Sequence, residues 1–165
     1  KGHRMKRKPL GYRRLITHCK ENYQFCILPT LEADDAIGID ATRFADPENI
    51  VVSPDKDMKQ IPSNLWNLSD DVVEITVEDG DRWHLIQTLS GDPTDGYSGC
   101  PGIGVKRATE LLDKNENKWE AVCKAFRDRG LSDDDALLNA RLAKILRQED
   151  YDLTNSQPIL WKPKL

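Results

Sequence analysis

The order of apolar and polar positions predicts helices alternating with short strands in the first half of the chain. Between residues 12 and 23, apolar side chains recur about every three to four positions, the pattern of an amphipathic helix. Two apolar runs, at 25–28 and 50–53, are each followed by proline and predict short strands. A second helix is predicted between them, over 31–44. A strand, a helix and a strand in that order favour a parallel βαβ unit, in which functional residues collect at the carboxyl ends of the strands.

The second half of the chain is predicted to be largely helical. After two further strands within residues 64–77, the apolar spacing indicates helices over 83–89, 105–112, 118–127 and 133–148. Ser132 precedes three aspartates, a typical helix start with a capping hydroxyl and acids that complement the helix dipole. The expected fold is α/β, with a partial parallel sheet flanked by helices over 1–80 and a helical region over 81–165. The two parts are expected to pack as one unit.

Composition and charge narrow the class of protein. No apolar run approaches the roughly 20 residues that cross a bilayer, and 32% of the residues are charged, so a soluble cytoplasmic protein without a membrane partner is expected. The four cysteines form no C-x-x-C pair, which favours reduced, half-buried thiols over a zinc site. The net charge of -4 conceals a basic first twenty residues and an acidic stretch from 32 to 95. This asymmetry suits a protein that holds a polyanion beside metal ions.

Three acidic clusters lie at predicted junctions between strands and helices. Crowded carboxylates repel one another unless a cation lies between them, and hard divalent cations such as Mg²⁺ prefer oxygen ligands. Helix-dipole and turn-capping roles would explain any one cluster alone, whereas three together favour metal binding. An EF-hand loop beginning at Asp55 is excluded, because its sixth and twelfth positions are Gln60 and Trp66. The clusters are Glu32, Asp34 and Asp35; Asp55 and Asp57; and Asp92 and Asp95.

A glycine-rich turn at 99–108 joins two of the predicted helices. Glycines allow a close approach of the backbone to phosphate, and Lys106 and Arg107 add positive charge at the start of the following helix. Such a turn can grip a nucleic-acid backbone without reading bases. A packing corner between two helices would explain the same string, and the spacing of a Walker A loop is absent.

In chain order, the motifs Glu-Ala-Asp-Asp at 32–35, Ser-Pro-Asp-Lys-Asp at 53–57, Gly-Asp-Pro-Thr-Asp-Gly at 91–96 and the Gly-Ile-Gly turn resemble the 5′-nuclease superfamily. The likeness is strongest to the 5′-to-3′ exonucleases of short-tailed phages. It implies a PIN-like core and a helix–three-turn–helix at about 88–113. It also implies a 5′-to-3′ exonuclease or flap endonuclease of phage replication or recombination, acting on 5′ ends or flaps of duplex DNA or on RNA–DNA hybrids. The setting would be the cytoplasm of a phage-infected or prophage-bearing bacterial cell.

The resemblance further implies roles for individual residues. Glu32, Asp34 and Asp35 would hold the first of two Mg²⁺ or Mn²⁺ ions, and the other four acids the second. Lys1 and Arg4 would face the scissile phosphate as catalytic residues, and the glycine turn would take a K⁺ ion. The DNA-binding set would be Lys6, Arg7, Gly102, Gly104, Lys106 and Arg107.

One departure from the family pattern shapes the expected activity. The family has two further catalytic aspartates before the Lys-Gly-x-Arg segment, whereas here that segment is residues 1–4. The chain alone is therefore expected to bind DNA better than it cuts it, unless a missing N-terminal segment or a companion chain supplies those acids. The alternatives are a catalytically incomplete DNA-binding fragment and a nucleotide-sugar enzyme in which Asp55 and Asp57 hold Mn²⁺. The second alternative leaves the glycine turn and the basic arm unexplained.

Overall fold

The computed structural model describes residues 8–28, 30–43, 48–69 and 71–163, and within them more residues lie in helices than in strands. The helices are α1 Tyr12–Asn22, α2 Ala33–Arg43, α3 Val77–Ser90, α4 Val105–Asp113, α5 Lys118–Arg127 and α6 Asp133–Ala143, with short 3-10 helices at Lys56–Gln60 and Gln148–Asp150. The strands are β1 Ile50–Val52, β2 Ser63–Trp66, β3 Val73–Ile75, β4 Tyr151–Asp152 and β5 Gln157–Pro158.

The larger sheet has the order β1-β2-β3 and is mixed. Strands β1 and β2 are parallel, with Val51 opposite Leu65, whereas β2 and β3 are antiparallel. The expectation of a partial parallel sheet is therefore correct for one strand pair and wrong for the other. Strands β2 and β3 are joined by a short connection, which can return the chain only in the antiparallel sense. A small core forms beneath the sheet from Val51, Met58, Ile61, Leu65 and Ile145.

The strand predicted at 25–28 is wrong. These residues have no regular structure, and Phe25 and Ile27 are exposed. An isolated apolar run cannot form a strand without a neighbour that satisfies its backbone hydrogen bonds. As a result α2 does not join two paired strands, and the predicted βαβ unit is absent from the described residues.

The main hydrophobic core lies among α3, α4, α5 and α6. Helix α3 contributes Leu85, Ile86 and Leu89, which pack with Leu112 of α4 and Phe126 of α5. It begins six residues before the predicted position, at a Thr76–Asp79 capping box that the apolar spacing does not reveal. The bounds predicted for α5 and the Ser132 cap of α6 are confirmed.

Helix α6 ends at Ala143, well short of the predicted residue 148. The next residue, Lys144, is extended with φ -72° and ψ 122°. Backbone N–H groups that would continue the helix instead donate to side chains of other elements: Ile145 to Gln60 at 3.0 Å and Leu146 to Asp35 at 2.9 Å. Tertiary hydrogen bonds therefore end the helix where local periodicity predicts that it continues.

Helix α1 stands apart from both cores. None of its residues is buried, and the apolar side chain of Leu15 is 58% exposed. The helix predicted over 12–23 is confirmed, but none of its apolar residues belongs to either core. No helix in the described residues is both long enough and apolar enough to span a membrane.

Candidate metal centre

Asp57, Asp92 and Asp95 form a compact carboxylate cluster. Each offers one oxygen, and these oxygens all lie within 4.8 Å of one another. Asp57 lies in the first turn of the 3-10 helix, whose N-terminus is capped by Asp55, and Asp92 and Asp95 follow the end of α3. Three carboxylate oxygens at this separation match the donor preference of Mg²⁺ and Mn²⁺. The residues therefore fit the divalent cation that the sequence motifs indicate.

Two glycines shape the turn that carries Asp92 and Asp95. Gly91 and Gly99 have φ of 68° and 64°, in the left-handed region. A Cβ on Gly91 would lie 2.4 Å from the carbonyl carbon of Ser98, and one on Gly99 would lie 2.3 Å from the amide nitrogen of Gly91. This close approach lets the turn fold back on itself, with the N–H of Asp92 donating to the carbonyl of Tyr97 at 3.0 Å.

Lys56 neutralises part of the charge of the cluster. Its Nζ lies 3.1 Å from Oδ2 of Asp92 and 3.9 Å from Oδ1 of Asp57. Burial, followed by the negative charge of Asp55, raises the pKa of Asp57. For Asp92, burial acts to raise the pKa, but the hydrogen bonds from the Thr94 amide and from Lys56 lower it overall. The pKa values of Asp57 and Asp92 are therefore shifted in opposite directions. The Lys56 ammonium supplies positive charge at the place where a metal ion would bind.

The seven acids predicted as metal ligands do not all line the same cavity. A cavity of about 430 Å³ is lined by five of them: Glu32, Asp34, Asp35, Asp57 and Asp95. Asp92 joins this group through the carboxylate cluster. Asp55 instead caps the 3-10 helix, accepting from the Asp57 amide at 3.0 Å, and lines a separate cavity with Lys59 and Trp83. Asp55 is the extended N-cap and Asp57 lies inside the 3-10 helix, so the pair lacks the continuous extended backbone that would point both side chains the same way.

Glu32, Asp34 and Asp35 are carried by the start of α2 and the residue before it. Acids at this position complement the helix dipole, and both aspartates lie in the first turn. Oδ1 of Asp35 accepts from the backbone of Leu146 at 2.9 Å, which ties α2 to the extended segment after α6. The same cavity is also lined by Arg141 and Lys144, two cations that the sequence motifs do not single out. The Lys144 ammonium is buried and pairs with Asp150 at 3.0 Å, so Arg141, which is partly exposed, is the cation of this pair that an anionic group could reach.

The glycine turn lies on the surface after α3. Gly102 has φ of 74° and Gly104 is the residue before α4, and a Cβ at either would meet open space. Lys106 and Arg107 are exposed on the first turn of α4, and Nη1 of Arg107 donates to the carbonyl of Gly102 at 2.8 Å. The turn thus presents backbone and two cations to solvent. Four further predicted residues, Lys1, Arg4, Lys6 and Arg7, lie outside the described residues.

Two buried glutamines belong to the site but carry no sequence signature. Gln87 of α3 donates from Nε2 to Oδ1 of Asp57 at 2.6 Å, and Gln60 donates from Nε2 to Oε1 of Gln87 at 2.6 Å. Gln60 and Gln87 are 1% and 4% exposed. Each has one apolar neighbour, Ile61 or Ile86, which could only have suggested burial, and nothing in a single sequence indicates a link to Asp57.

Comparison with curated proteins gives matches along nearly the whole chain. The exodeoxyribonuclease of Enterobacteria phage T3 is 31% identical over 195 residues, covering 96% of this chain and 65% of the relative. The exonuclease of Escherichia phage T7 is 30% identical over 194 residues, covering 95% and 65%. A 5'-3' exonuclease of Mycobacterium tuberculosis is 33% identical over 108 residues, covering 53% and 34%. No protein-family model matches the chain.

The chain thus spans 65% of the length of the two phage relatives. Five of the acids in the motifs that suggested the relationship line one cavity. The matches to phage and bacterial exonucleases confirm the resemblance that these motifs indicated, and the chain belongs to the 5′-nuclease family.

Proposed function

We propose that the chain is the metal-binding and DNA-holding part of a 5′-to-3′ exonuclease or flap endonuclease. It would hydrolyse phosphodiesters at 5′ ends of duplex DNA or RNA–DNA hybrids during phage replication or recombination, in the cytoplasm of the infected or prophage-bearing bacterium. The observation that carries the proposal is the cavity lined by five family-type acids, in a chain whose phage relatives are named exonucleases.

The acids would serve two divalent ions. Asp57, Asp92 and Asp95 would hold one divalent ion, since their oxygens lie within 4.8 Å of one another. Glu32, Asp34 and Asp35 would contribute to the other from the start of α2. Asp55 would act on the cluster through its charge and its helix cap, because its carboxylate lies on another cavity.

Divalent ions bound here would supply Lewis acidity that activates water and stabilises the leaving oxygen. The chain's own cations have a separate task. Arg141 lines the acid cavity and would attract the phosphate of the substrate, whereas Lys144 pairs with Asp150. Lys1 and Arg4 would face the scissile phosphate, as the family resemblance implies.

DNA would be held by the region over 81–165, and the core over 1–80 would carry the acids of α2 and the 3-10 helix. The glycine turn between α3 and α4 supports this division, since it exposes backbone beside Lys106 and Arg107. It would form the family's helix–three-turn–helix over about 88–113 and would take a K⁺ ion. Contacts from Gly102, Gly104, Lys106 and Arg107, together with Lys6 and Arg7, would fall on phosphates. Binding is then tolerant of sequence and sensitive to salt.

The test is digestion of a 5′-labelled duplex by this chain and by a longer protein that adds a segment with the two further family aspartates, each with Mg²⁺ or with a chelator. We expect release of labelled nucleotides or short oligonucleotides mainly by the longer protein and only with Mg²⁺, and loss of release in its Asp92→Asn variant. The matched control is Asp40→Asn, which removes an exposed carboxylate on α2 away from the acid cavity. Binding of the duplex without Mg²⁺-dependent cutting by either protein would refute the nuclease assignment and leave a DNA-binding fragment.

A further inference from the structure

Two glutamine side chains connect the carboxylate cluster to the extended segment after α6. Gln60 and Gln87 are almost completely buried, and a buried amide must find hydrogen-bond partners within the protein. Gln60 lies at the end of the 3-10 helix and Gln87 in the last turns of α3. The 3-10 helix also carries Asp57, and α3 directly precedes the turn that carries Asp92 and Asp95.

The direction of the hydrogen bonds is fixed by the backbone. Oε1 of Gln60 accepts from the N–H of Ile145 at 3.0 Å, and Nε2 donates to the carbonyl of Ala143 at 2.6 Å. A backbone N–H can only donate and a carbonyl can only accept, so the Gln60 amide has one possible orientation. Its Nε2 also donates to Oε1 of Gln87 at 2.6 Å, which turns the Nε2 of Gln87 toward Asp57. Gln87 is thereby required to donate to Asp57.

This contact constrains an oxygen of a candidate metal ligand. Nε2 of Gln87 lies 2.6 Å from Oδ1 of Asp57, and the amide adds no net charge to a crowded acidic site. A ligand carboxylate held by an outer partner keeps its orientation when the cation leaves, which reduces the ordering cost of binding. Lys56 is a weaker constraint on the same oxygen, at 3.9 Å.

The series of hydrogen bonds that begins at Asp57 also reaches the acid group at the start of α2. Residues 143–146 bind Gln60 through Ala143 and Ile145, and the next residue, Leu146, donates to Oδ1 of Asp35 at 2.9 Å. One short extended segment therefore contacts Asp35 directly and Asp57 through two amides. This arrangement couples the spacing of the two acid groups to the end of α6.

We infer that Gln87, oriented by Gln60, is a positioning residue that holds Asp57 for divalent cation binding. The inference rests on the proposed function, since it assumes that Asp57 is a metal ligand. It predicts that removal of the Gln87 amide weakens cation affinity more than it weakens the fold. The reason is that Gln60 keeps its bonds to Ala143 and Ile145 when Gln87 is replaced.

The experiment measures Mn²⁺ binding to the intact chain by electron paramagnetic resonance, with no DNA present. Gln87→Met keeps the side-chain length and removes the donor to Asp57. Thr88→Val is the matched control, because Thr88 is fully buried on the same helix and its hydroxyl donates to the carbonyl of His84 at 2.9 Å, away from the acids. Thermal unfolding in chelator reports the stability of both variants.

We expect Gln87→Met to lose about 10- to 100-fold in Mn²⁺ affinity, the usual effect of removing an outer partner of a metal ligand. Thr88→Val should keep wild-type affinity. Wild-type affinity in a folded Gln87→Met, with weakened binding in Asp57→Asn, would overturn the positioning role and leave the metal site intact. No Mn²⁺ binding by the wild-type chain, or unchanged binding in Asp57→Asn, would instead overturn the proposed metal centre and the positioning role with it.

Discussion

Asp95 should destabilise the chain without metal and stabilise it with metal. Its oxygen lies within 4.8 Å of oxygens of Asp57 and Asp92. Two unit charges at that distance repel by about 0.9 kcal/mol in bulk water and by about 1.7 kcal/mol at an effective dielectric constant of ~40. Lys56 offsets part of the two repulsions, so Asp95→Asn should raise the free energy of unfolding by about 1–2 kcal/mol. For a domain of this size that is an increase in Tm of roughly 3–6 °C.

The assay is thermal unfolding of wild type and Asp95→Asn in chelator and in Mg²⁺. Metal in about 100-fold excess over its Kd would stabilise the wild type by about 2.7 kcal/mol, and the variant should gain much less. The order of the two Tm values should therefore reverse when Mg²⁺ replaces chelator. Asp40→Asn should show neither effect, because Asp40 lies outside the cluster. A variant that is no more stable than wild type in chelator, and that gains as much from Mg²⁺, would refute this reasoning.

Three further predictions test other parts of the structure. Burial lowers the pKa of His84 from 6.5 to about 4, so the folded chain binds fewer protons than the unfolded chain between these values. The contribution of His84 to the free energy of unfolding is complete above pH 6.5 and should fall by about 3 kcal/mol as the pH drops to 4. Denaturant titrations should show this loss in the wild type and not in His84→Gln. In the same titrations, Gly102→Ala should lower the free energy of unfolding by ~1–2 kcal/mol, and Gly99→Ala should lower it several times as much. Both glycines have positive φ, but only a Cβ at Gly99 would clash with the backbone. Equal costs would contradict the packing argument. Replacing Lys106 and Arg107 by alanine should reduce the salt dependence of duplex affinity by about 1.8 in the log–log slope, and an unchanged slope would exclude both from phosphate contacts.

Local signals in the sequence were sufficient for most of the helices. The bounds of α5 and the start of α4 follow from apolar spacing, and the cap of α6 follows from Ser132. The end of α6 could not be predicted, because it depends on Gln60 and Asp35, which lie far away in the chain. The failure of the strand at 25–28 has the same origin, since strand formation depends on a neighbour rather than on the apolar run itself.

The candidate site was accessible to sequence reasoning only in part. Motif order pointed to Asp57, Asp92 and Asp95 as one set, and the structure brings their oxygens together. It pointed equally to Asp55, which instead caps a 3-10 helix too short to leave a periodic signal. Gln60 and Gln87 could not be found, because the role of a neutral amide depends on which groups surround it in three dimensions.

Helix α1 has eleven residues, none of them buried. A lone helix shorter than about 12–15 residues is marginal in water, so tertiary contacts normally decide whether such a segment keeps its shape. The backbone amides of α1 should therefore exchange with deuterium much faster than those of α3. Any macromolecule that packs against its apolar stripe would slow that exchange, and the change in protection would locate the contact.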